Sequence, residues 1–403
     1  MKRLLIFTEN YARGGGNRYM IDLLNALAPD FEQVLLVSNE GGIFPEDTSR
    51  INDSVVQREV ELITRPSIDK KLSALPRSVR KIIALLLFVF EPILFIINTI
   101  KFIILLKKIE PSLIVSCNGG FPAAQACLSM VVAGRISRVS VVLSVVSMPL
   151  ARRLITWLYE WMLDKLIWAS ASLVIVNAKS IASAMIGLRS APVKKIRVIH
   201  NGLEDIQLLD GPITEQRHDF LIGCIARMDR AKGIMVLFDA FVQLAERHPT
   251  MRLVLAGHGD VSEELARRIE FLGLQSKVDI LGHFDGNIEI LLSSFNVYVF
   301  PSLWEGFPYS IIEALRSACV IVATKVGGIP EAVTDGVEGI LITPGSVDEI
   351  IQAVEKIFAN RTTGKFLAKN ARIKFEKNFT LSMMHRSVHD VYVELKQVDA
   401  LWR

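Results

Sequence analysis

Apolar stretches of strand length alternate along most of the chain with longer stretches that have the spacing of amphipathic helices. Continuous apolar runs bounded by turn residues predict buried strands, and the stretches between them predict the helices that cover a sheet. This alternation is typical of an α/β fold built around parallel sheets. The predicted strands are RLLIFT, QVLLVS, LIVSC, VSVVLSVV, SLVIVN and IRVIHNG in the first half, and FLIGCIA, RLVLAG, VDILG, VYVFPS, VIVAT and GILI in the second.

The pattern is interrupted between residues 201 and 218, where the chain carries glycine, proline and charges but few apolar positions. Such a segment is typical of a connection between domains, and 403 residues suffice for two domains of ordinary size. We therefore predict two Rossmann-like halves, residues 1–203 and 204–403. The last helix, about residues 381–403, is a candidate to return to the first half and pack against it.

The most apolar run is KIIALLLFVFEPILFIINTIKFIILLKK, residues 81–108. It is long enough to span a bilayer. A span here would place the RLLIFT and LIVSC strands, which should share one sheet, on opposite sides of the membrane. We predict instead a helix pair broken near Glu91 and Pro92, with one face on the sheet and the other in the membrane interface. Five basic residues are then expected near lipid phosphates: Lys70, Lys71, Arg77, Arg80 and Lys81. A buried helix or a subunit contact is the alternative.

Composition and charge argue against several further classes of protein. The net charge of +4 is mildly basic and too weak to indicate nucleic-acid binding. The four cysteines are scattered without a CxxC pair, which predicts neither a zinc site nor a disulfide framework. The N-terminal run MKRLLIFTEN is too short for a signal peptide and predicts a first strand, so a cytoplasmic protein is the default expectation.

Glycines follow two of the predicted strands. In YARGGGNRYM, Gly14, Gly15 and Gly16 stand between the first strand and the first helix, where backbone N–H groups can approach a phosphate. The spacing is not GxGxxG, and a tight turn without a ligand is the alternative. In LVLAGHGD, Gly257 and Gly259 again indicate a backbone close to a ligand.

Two further strand ends carry cations or rings. In IGCIARMDRAKG, Arg227 and Lys232 precede a helix and are suited to hold a diphosphate, although a solvated charged loop would look the same. In KVDILGHFDG, His283 and Phe284 follow a strand and could receive a base; a structural histidine is the alternative.

The stretch FPSLWEGFPYSIIEAL places Glu305 and Glu313 eight positions apart. Pro308 marks the start of a helix, because its missing N–H costs nothing in the first turn. Glu305 then precedes a helix, where a carboxylate is ordinary, whereas Glu313 lies among apolar residues and needs a partner. All these loops follow the carboxyl ends of strands, the edge at which open α/β sheets bind ligands.

Taken in order, the motifs GGGNRYMIDL, IHNGLE, ARMDRAKG, LAGHGD and EGFPYSIIE resemble those of GT-B glycosyltransferases of family 4, over essentially the whole chain. EGFPYSIIE matches the Glu-x7-Glu signature of these retaining enzymes. The resemblance implies two Rossmann-like domains with parallel sheets facing across a deep cleft. It also implies transfer of a hexose from a UDP- or GDP-sugar, with neither a cofactor nor a metal ion.

The resemblance assigns roles to these residues. It implies that Glu313 accepts hydrogen bonds from the ribose hydroxyls and that Glu305 meets the donor sugar. Arg227 and Lys232 would stabilise the departing diphosphate, acting with Glu305 in catalysis. The remaining donor-side residues would line the nucleotide, the phosphates and the sugar: Gly15, Gly16, Gly257, His283, Phe284, Gly306, Phe307 and Pro308.

One position departs from the family pattern. Many relatives carry a histidine after the strand that reads VVLSVVSMP here, whereas this chain has Ser147 and Met148. The departing phosphate can take the acceptor's proton, so the difference does not exclude catalysis. Asn118, in SCNGGFP, and Ser147 are the candidate acceptor-side contacts.

The acceptor is inferred from the apolar, basic surface predicted for about residues 70–108. We expect a lipid-linked saccharide at the inner face of the cell membrane, in synthesis of lipopolysaccharide O-chain, capsule or exopolysaccharide. Two alternatives stay open, a catalytically silent membrane-associated subunit and a nucleotide-sugar epimerase. A dinucleotide oxidoreductase is disfavoured, because the glycine spacing lacks the fingerprint.

Overall fold

The computed structural model describes residues 2–11, 14–41, 51, 54–72, 75–208, 219–284 and 286–402. By its packing the chain forms two compact units. Unit 1 contains residues 1–200 and 385–403, and unit 2 contains residues 201–384. The division made from sequence lies between residues 203 and 204.

Unit 1 is built, within its described residues, on a sheet of seven parallel strands in the order β3-β2-β1-β4-β5-β6-β7. The central strands are buried on both faces, as expected where helices cover a parallel sheet on each side. The strands are β1 (Arg3–Thr8), β2 (Gln33–Asn39), β3 (Val55–Val60), β4 (Leu113–Asn118), β5 (Ser140–Val145), β6 (Leu173–Val176) and β7 (Ile196–Val198).

The helices of unit 1 lie between these strands. They are α1 (Gly15–Leu27), α2 (Arg65–Lys71), α3 (Arg77–Ile109), α4 (Gln125–Ile136), α5 (Trp157–Ser170) and α6 (Lys179–Arg189). Because β1, β2 and β4 are aligned in parallel, Thr8 pairs with Ser38 and Cys117, and the chain leaves these strands at one common edge.

Helix α3 corrects one prediction. The expected break near Glu91 and Pro92 is wrong, since α3 continues through Pro92 to Ile109. Proline in a helix interior removes one backbone hydrogen bond and favours a kink, but it does not end a helix whose packing holds both halves in place. Packing is provided by α4 and by buried residues such as Phe95 and Phe102.

Unit 2 repeats the same winding. Its described strands form a six-stranded parallel sheet in the order β10-β9-β8-β11-β12-β13, so that the third, second, first and fourth strands again lie side by side. The strands are β8 (Phe220–Ile225), β9 (Met251–Ala256), β10 (Val278–Gly282), β11 (Val297–Phe300), β12 (Ile321–Thr324) and β13 (Gly339–Ile342).

The helices of unit 2 are α7 (Ile234–Arg247), α8 (Ser262–Phe271), α9 (Ile288–Ser293), α10 (Tyr309–Arg316), α11 (Ile329–Ala332), α12 (Val347–Ala359) and α13 (Arg361–Asn378). One core joins α7 and α12 to the sheet, with Phe238, Phe241 and Val354 fully buried.

The final helix, α14 (Leu381–Trp402), starts in unit 2 and belongs to unit 1 from residue 385. Within unit 1, Arg197 Nε donates to Glu394 Oε2 at 2.8 Å, and His389 lies 3.1 Å from Asp30. These contacts fix the end of the chain to the sheet and to the turn after α1.

In the described part of the chain, no helix combines the length and the apolarity that a membrane span requires. One face of α3 nevertheless presents a row of apolar side chains that are each about half exposed. These are Phe90, Ile93, Ile96, Ile100 and Ile104, and we call them the α3 stripe.

Candidate active site

Three loops of unit 2 meet at the carboxyl edge of its sheet. They follow β8, β11 and β12, which are neighbours in the sheet. Leu303 N donates to Ala231 O at 2.7 Å, and Thr324 Oγ1 donates to Ser302 O at 2.6 Å. Each loop is thus bonded to the next, so residues remote in sequence are held in fixed positions.

A buried ion pair lies at this junction. Lys232 Nζ donates to Glu305 Oε1 at 2.6 Å, and Ser302 Oγ donates to the same oxygen at 2.7 Å. The side chain of Glu305 is 8% exposed and that of Lys232 is 18% exposed. Charge-assisted hydrogen bonds of this length are strong, and they offset the desolvation of the carboxylate. The pair therefore fixes the ammonium group while leaving it accessible.

Lys232 is also positioned by its backbone. It ends the 3-10 turn Arg230–Lys232, whose N-cap Asp229 accepts a hydrogen bond from Lys232 N at 3.1 Å. The next residue, Gly233, has φ of +67°, and a Cβ there would lie 2.0 Å from Pro301 O. A glycine is required at this close approach between the loops that carry Lys232 and Glu305.

Arg227 lies in the same loop but in a different environment. Its side chain is 68% exposed, and its Nη2 lies 3.1 Å from Asp229 Oδ2. The Asp229 carboxylate therefore links the two residues. It contacts the guanidinium of Arg227 and accepts a hydrogen bond from the backbone N–H of Lys232. The structure brings the two predicted cations together at one strand end, with Lys232 fixed and Arg227 open to solvent.

The loop that carries Glu305 and Gly306 is supported from β12. Gly328 N donates to Gly306 O at 2.6 Å. Gly327 has φ of +53°, and a Cβ on it would lie 2.1 Å from Glu305 O. The KVGGIP segment, which in the sequence indicates mainly scaffold, is thus the surface on which the Glu305 loop rests.

Phe307, Pro308 and Glu313 follow in order. The side chain of Phe307 is buried, and its carbonyl accepts a hydrogen bond from Asn201 Nδ2 at 2.6 Å. Pro308 is the residue just before α10, and Glu313 lies in its second turn, partly buried. Glu305, in the loop, is thus more buried than Glu313, in the helix, which reverses the contrast that the sequence suggested.

The loops after β9 and β10 extend the same edge. Gly257 N donates to Gly282 O at 2.7 Å, and a Cβ on Gly257, whose φ is +141°, would lie 1.9 Å from Ala226 O. His283 is exposed and Phe284 is partly buried, both directly after β10. Every predicted donor-side residue of unit 2 therefore lies along one edge of one sheet.

The other predicted residues belong to unit 1. Gly15 and Gly16 open α1 at the carboxyl end of β1. Asn118 is the last residue of β4, and Ser147 follows the neighbouring strand β5, beside Gly120. They share the carboxyl edge of the unit 1 sheet.

Sequence reasoning missed three supporting residues. Ser302 holds Glu305, Asn201 holds the Phe307 carbonyl, and Gly327 allows the loops to approach. A small polar residue two positions after β11 is the signal that the sequence offers for Ser302. Asn201 lies within the IHNGLE motif, which was used as a family marker and not as part of the site.

No group of three or more His, Cys, Asp or Glu side chains among the described residues is arranged to hold a metal ion. Metal independence remains an expectation from the family resemblance.

Comparison with solved structures identifies the fold. The chain is similar to Anabaena Alr3699/HepE in complex with UDP, with a TM-score of 0.76 and 21% identity, over 98% of this chain and 100% of that one. The same protein in complex with UDP-glucose gives a TM-score of 0.72. The fold is that of the GT-B glycosyltransferases, two Rossmann-like domains with parallel sheets.

Family models identify the group. Residues 13–205 match the model "Glycosyltransferase Family 4", and residues 207–374 match "Glycosyl transferases group 1". Together the two matches span most of the chain, and the chain belongs to this glycosyltransferase family.

Curated relatives match over only part of the chain. The lipopolysaccharide core biosynthesis mannosyltransferase LpsB of Rhizobium meliloti is 27% identical over 43% of this chain and 51% of that protein. An N-acetylgalactosaminyltransferase of Campylobacter jejuni, acting on N-acetylgalactosamine-N,N'-diacetylbacillosaminyl-diphospho-undecaprenol, is 27% identical over 53% of this chain and 59% of its own length. The chain spans 51% to 64% of the length of three of these curated relatives and 30% of two others.

Proposed function

We propose that this protein transfers a hexose from a UDP- or GDP-sugar to a lipid-linked saccharide, with retention of configuration, in the synthesis of a surface polysaccharide. The observation that carries the proposal is the Lys232–Glu305 pair, held with Ser302 at the carboxyl edge of the unit 2 sheet. Relatives named for lipopolysaccharide core and undecaprenol-linked saccharides support the substrate class.

Lys232 is suited to a diphosphate. An ammonium group has three N–H donors, and one of them is directed at Glu305 Oε1. The other two can be offered to phosphate oxygens. Arg227, exposed in the same loop, adds a planar fork of donors. Because these cations are already in place, they stabilise the charge that develops on the leaving diphosphate without reorganising.

The transfer is then a displacement at the anomeric carbon. The bond from this carbon to the diphosphate oxygen breaks, and the bond to the acceptor oxygen forms on the same face. The acceptor's proton passes to the departing phosphate. Glu313 and Glu305 would accept hydrogen bonds from the ribose and the donor sugar, and Gly15 and Gly16 would contact the phosphates.

Donor binding is tested by thermal unfolding with UDP, GDP and their sugars, without added metal. We expect one nucleotide family to raise the unfolding temperature. Lys232→Ala should abolish this increase and lower turnover by about 100-fold, since one preorganised charge is lost. Glu313→Gln should weaken the increase.

Lys369→Ala is the matched control, because Lys369 is an exposed lysine of α13 away from the site. It should behave like wild type. No temperature shift with any nucleotide would contradict the proposed activity and favour a silent subunit.

We further propose that unit 1 attaches to the inner face of the cell membrane. The α3 stripe is apolar and exposed, and Lys107 and Lys108 follow it in the last turn of α3. A second exposed apolar group precedes and opens α5: Leu154, Ile155, Leu158 and Met162. Glu91, in the middle of α3, lies 3.8 Å from Arg153, the residue just before this second group. Apolar area flanked by lysines is typical of interfacial binding.

Attachment is measured by sedimentation with anionic phosphatidylglycerol vesicles. Ile96→Glu with Ile100→Glu should move most of the protein to the supernatant, because two charges would enter the apolar interface. Phe271→Glu, on an exposed phenylalanine of unit 2, is the control and should leave sedimentation unchanged. Equal sedimentation of both variants would contradict attachment through α3. Leu86 and Phe88 belong to the same apolar run, but their side chains lie outside the part of the chain that the structure describes.

A further inference from the structure

Unit 1 contains a cavity of about 500 Å³ at the carboxyl edge of its own sheet. It lies between the residue after β1, the segment leading into α2, the middle of α3 and the start of α4. Its apolar wall includes Ile63, Leu87, Leu94 and Phe95. A cavity of this size lies within the usual range for small-molecule sites.

Two acceptor atoms in the cavity wall have no hydrogen-bond partner among the described residues. Glu91 is 5% exposed, and its Oε2 makes no hydrogen bond. Two described cations, Arg65 and Arg153, are each 3.8 Å from one of its oxygens, beyond hydrogen-bond length. Buried polar atoms of native proteins are nearly always hydrogen-bonded, so each exception requires an explanation.

Gln125 supplies the second such atom. Its Nε2 donates to Pro122 O at 3.0 Å, which sets the orientation of the amide, and its Oε1 is then buried without a partner. A third acceptor, Glu9, also lines the cavity, and its Oε2 accepts from Ala126 N at 3.1 Å. Burial raises the pKa of Glu9 to about 7 and raises that of Glu91 above its ordinary value. Among the described residues, Glu91 Oε2 and Gln125 Oε1 therefore have no hydrogen-bond donor, whereas Glu9 has the N–H of Ala126.

A ligand that completes this wall must donate hydrogen bonds and tolerate an apolar surrounding. Hydroxyl groups donate without bringing a charge into the cavity. The same helix that lines the cavity, through Glu91, Leu94 and Asn98, presents the α3 stripe on its exposed face. A ligand whose hydroxyl-bearing end occupies the cavity can therefore continue along an apolar surface.

From this combination we infer that the cavity of unit 1 binds the saccharide end of an amphiphilic glycoside, with Glu9, Glu91 and Gln125 accepting hydrogen bonds from its hydroxyls. The inference rests on the proposed function, in which such a glycoside is the acceptor. The inference names the residues that would bind this substrate. It also names the part of the substrate that they would contact, a hydroxyl-rich group on an apolar carrier.

The test is binding of octyl glycosides, measured by calorimetry below their micelle concentrations. We expect octyl glucoside, octyl galactoside or octyl N-acetylglucosaminide to bind, and octyl sulfobetaine, which has no hydroxyls, to bind at least about tenfold more weakly. Methyl glycosides, which have no apolar chain, should also bind more weakly. Equal binding of the glycosides and the sulfobetaine, or no binding of any glycoside, would overturn the inference.

Location is tested with Ala123→Trp, which places a large ring at an exposed alanine of the cavity wall. Glycoside binding should fall by about tenfold or more. Ala359→Trp, at an exposed alanine ending α12, is the matched control and should bind like wild type. Glu91→Gln is the second variant, which keeps the shape of the side chain and should weaken glycosides but not the sulfobetaine. Wild-type affinity in both Ala123→Trp and Glu91→Gln would show that glycosides bind elsewhere.

The two proposals fail differently. A nucleotide-dependent temperature shift without glycoside binding would leave the donor site intact and exclude this cavity. Glycoside binding without any nucleotide shift would support the cavity and contradict the transferase proposal. A glycoside that binds but never receives a sugar from the donor would make the cavity a glycolipid site and exclude an acceptor site.

Discussion

Each unit has a buried carboxylate at the carboxyl edge of its sheet. The two carboxylates differ in the hydrogen bonds and ion pairs that offset their burial. In unit 2, Glu305 receives a lysine at 2.6 Å and a serine at 2.7 Å on one oxygen. In unit 1, Glu91 has two arginines at 3.8 Å, and one of its oxygens has no hydrogen bond from any described residue. The carboxylate in unit 2 thus accepts hydrogen bonds from neighbouring side chains, whereas the one in unit 1 has an oxygen to which a ligand could donate.

Under the two proposals, the difference would suit two substrates of opposite chemistry. A diphosphate is an anion, so unit 2 needs fixed cations, and a carboxylate is used to hold one of them. A saccharide is a hydrogen-bond donor, so unit 1 can leave acceptors incomplete. Incomplete acceptors are costly in the empty protein, and that cost is recovered when a ligand donates to them.

The largest expected effect tests the rigidity of the satisfied site. Gly327→Ala should destabilise unit 2 by about 3 kcal/mol, because the new Cβ would lie 2.1 Å from Glu305 O in addition to the strain of a positive φ. Urea unfolding followed by circular dichroism measures the loss, and nucleotide affinity should fall with it.

Gly273→Ala is the matched control. Its φ of +65° resembles that of Gly327, but a Cβ there meets nothing within 4 Å. It should therefore lose only about 1 kcal/mol from backbone strain. Equal losses in the two variants would mean that the close approach of the loop after β12 to Glu305 does not contribute to the loss of stability.

The next effect concerns pH and the incomplete site. Folded Glu9 keeps its proton up to a pKa of about 7, whereas the unfolded carboxyl loses it near 4.5. Between these values the folded state binds more protons, so stability is highest at low pH and falls as pH rises to about 7. The fall attributable to Glu9 should be about 2–3 kcal/mol.

Glu9→Gln removes this titration, and the difference from wild type isolates it. The other groups near Glu9 remain in both proteins: Tyr11, Glu91, Arg65, Asp69 and Cys127. Urea unfolding at pH 5 and pH 7.5 should show a smaller fall in the variant. A fall of the same size in both would place the titrating group elsewhere.

The smallest expected losses of stability come from replacing each of the two carboxylates by an amide. Glu305→Gln should cost about 2 kcal/mol, because Lys232 then lies partly buried without its counterion. Glu91→Gln should cost less than about 1 kcal/mol, since Arg65 and Arg153 are 38% and 43% exposed and remain hydrated. A larger loss for Glu91→Gln in urea unfolding would reverse the contrast.

The strands show which parts of the fold the sequence predicts. The predicted strands match twelve of the thirteen described ones, because central parallel strands are continuous apolar runs. Strand β3 was missed, since Gln57, Arg58 and Glu59 are exposed on this edge strand and leave no apolar run. The break at Pro92 was predicted wrongly, because local propensity says nothing of the packing that holds α3 together.

The site shows a similar limit. Its loops could be located, because glycines and charges directly follow apolar strands. Their contacts could not, since Lys232 and Glu305 are 73 positions apart and meet only through the order of β8 and β11. The cavity of unit 1 carries no motif, and its three acceptors come from three separate segments.

The tied lysine has a consequence for selectivity. An ammonium group without a counterion would attract any phosphate in solution. Here an anion must share Lys232 with Glu305, so inorganic phosphate meets a fixed negative charge and has no further contacts to outweigh it. A sugar nucleotide brings a base, a ribose and a second phosphate. If Lys232 holds the donor diphosphate as proposed, Glu305 would thus select against inorganic phosphate and in favour of a sugar nucleotide.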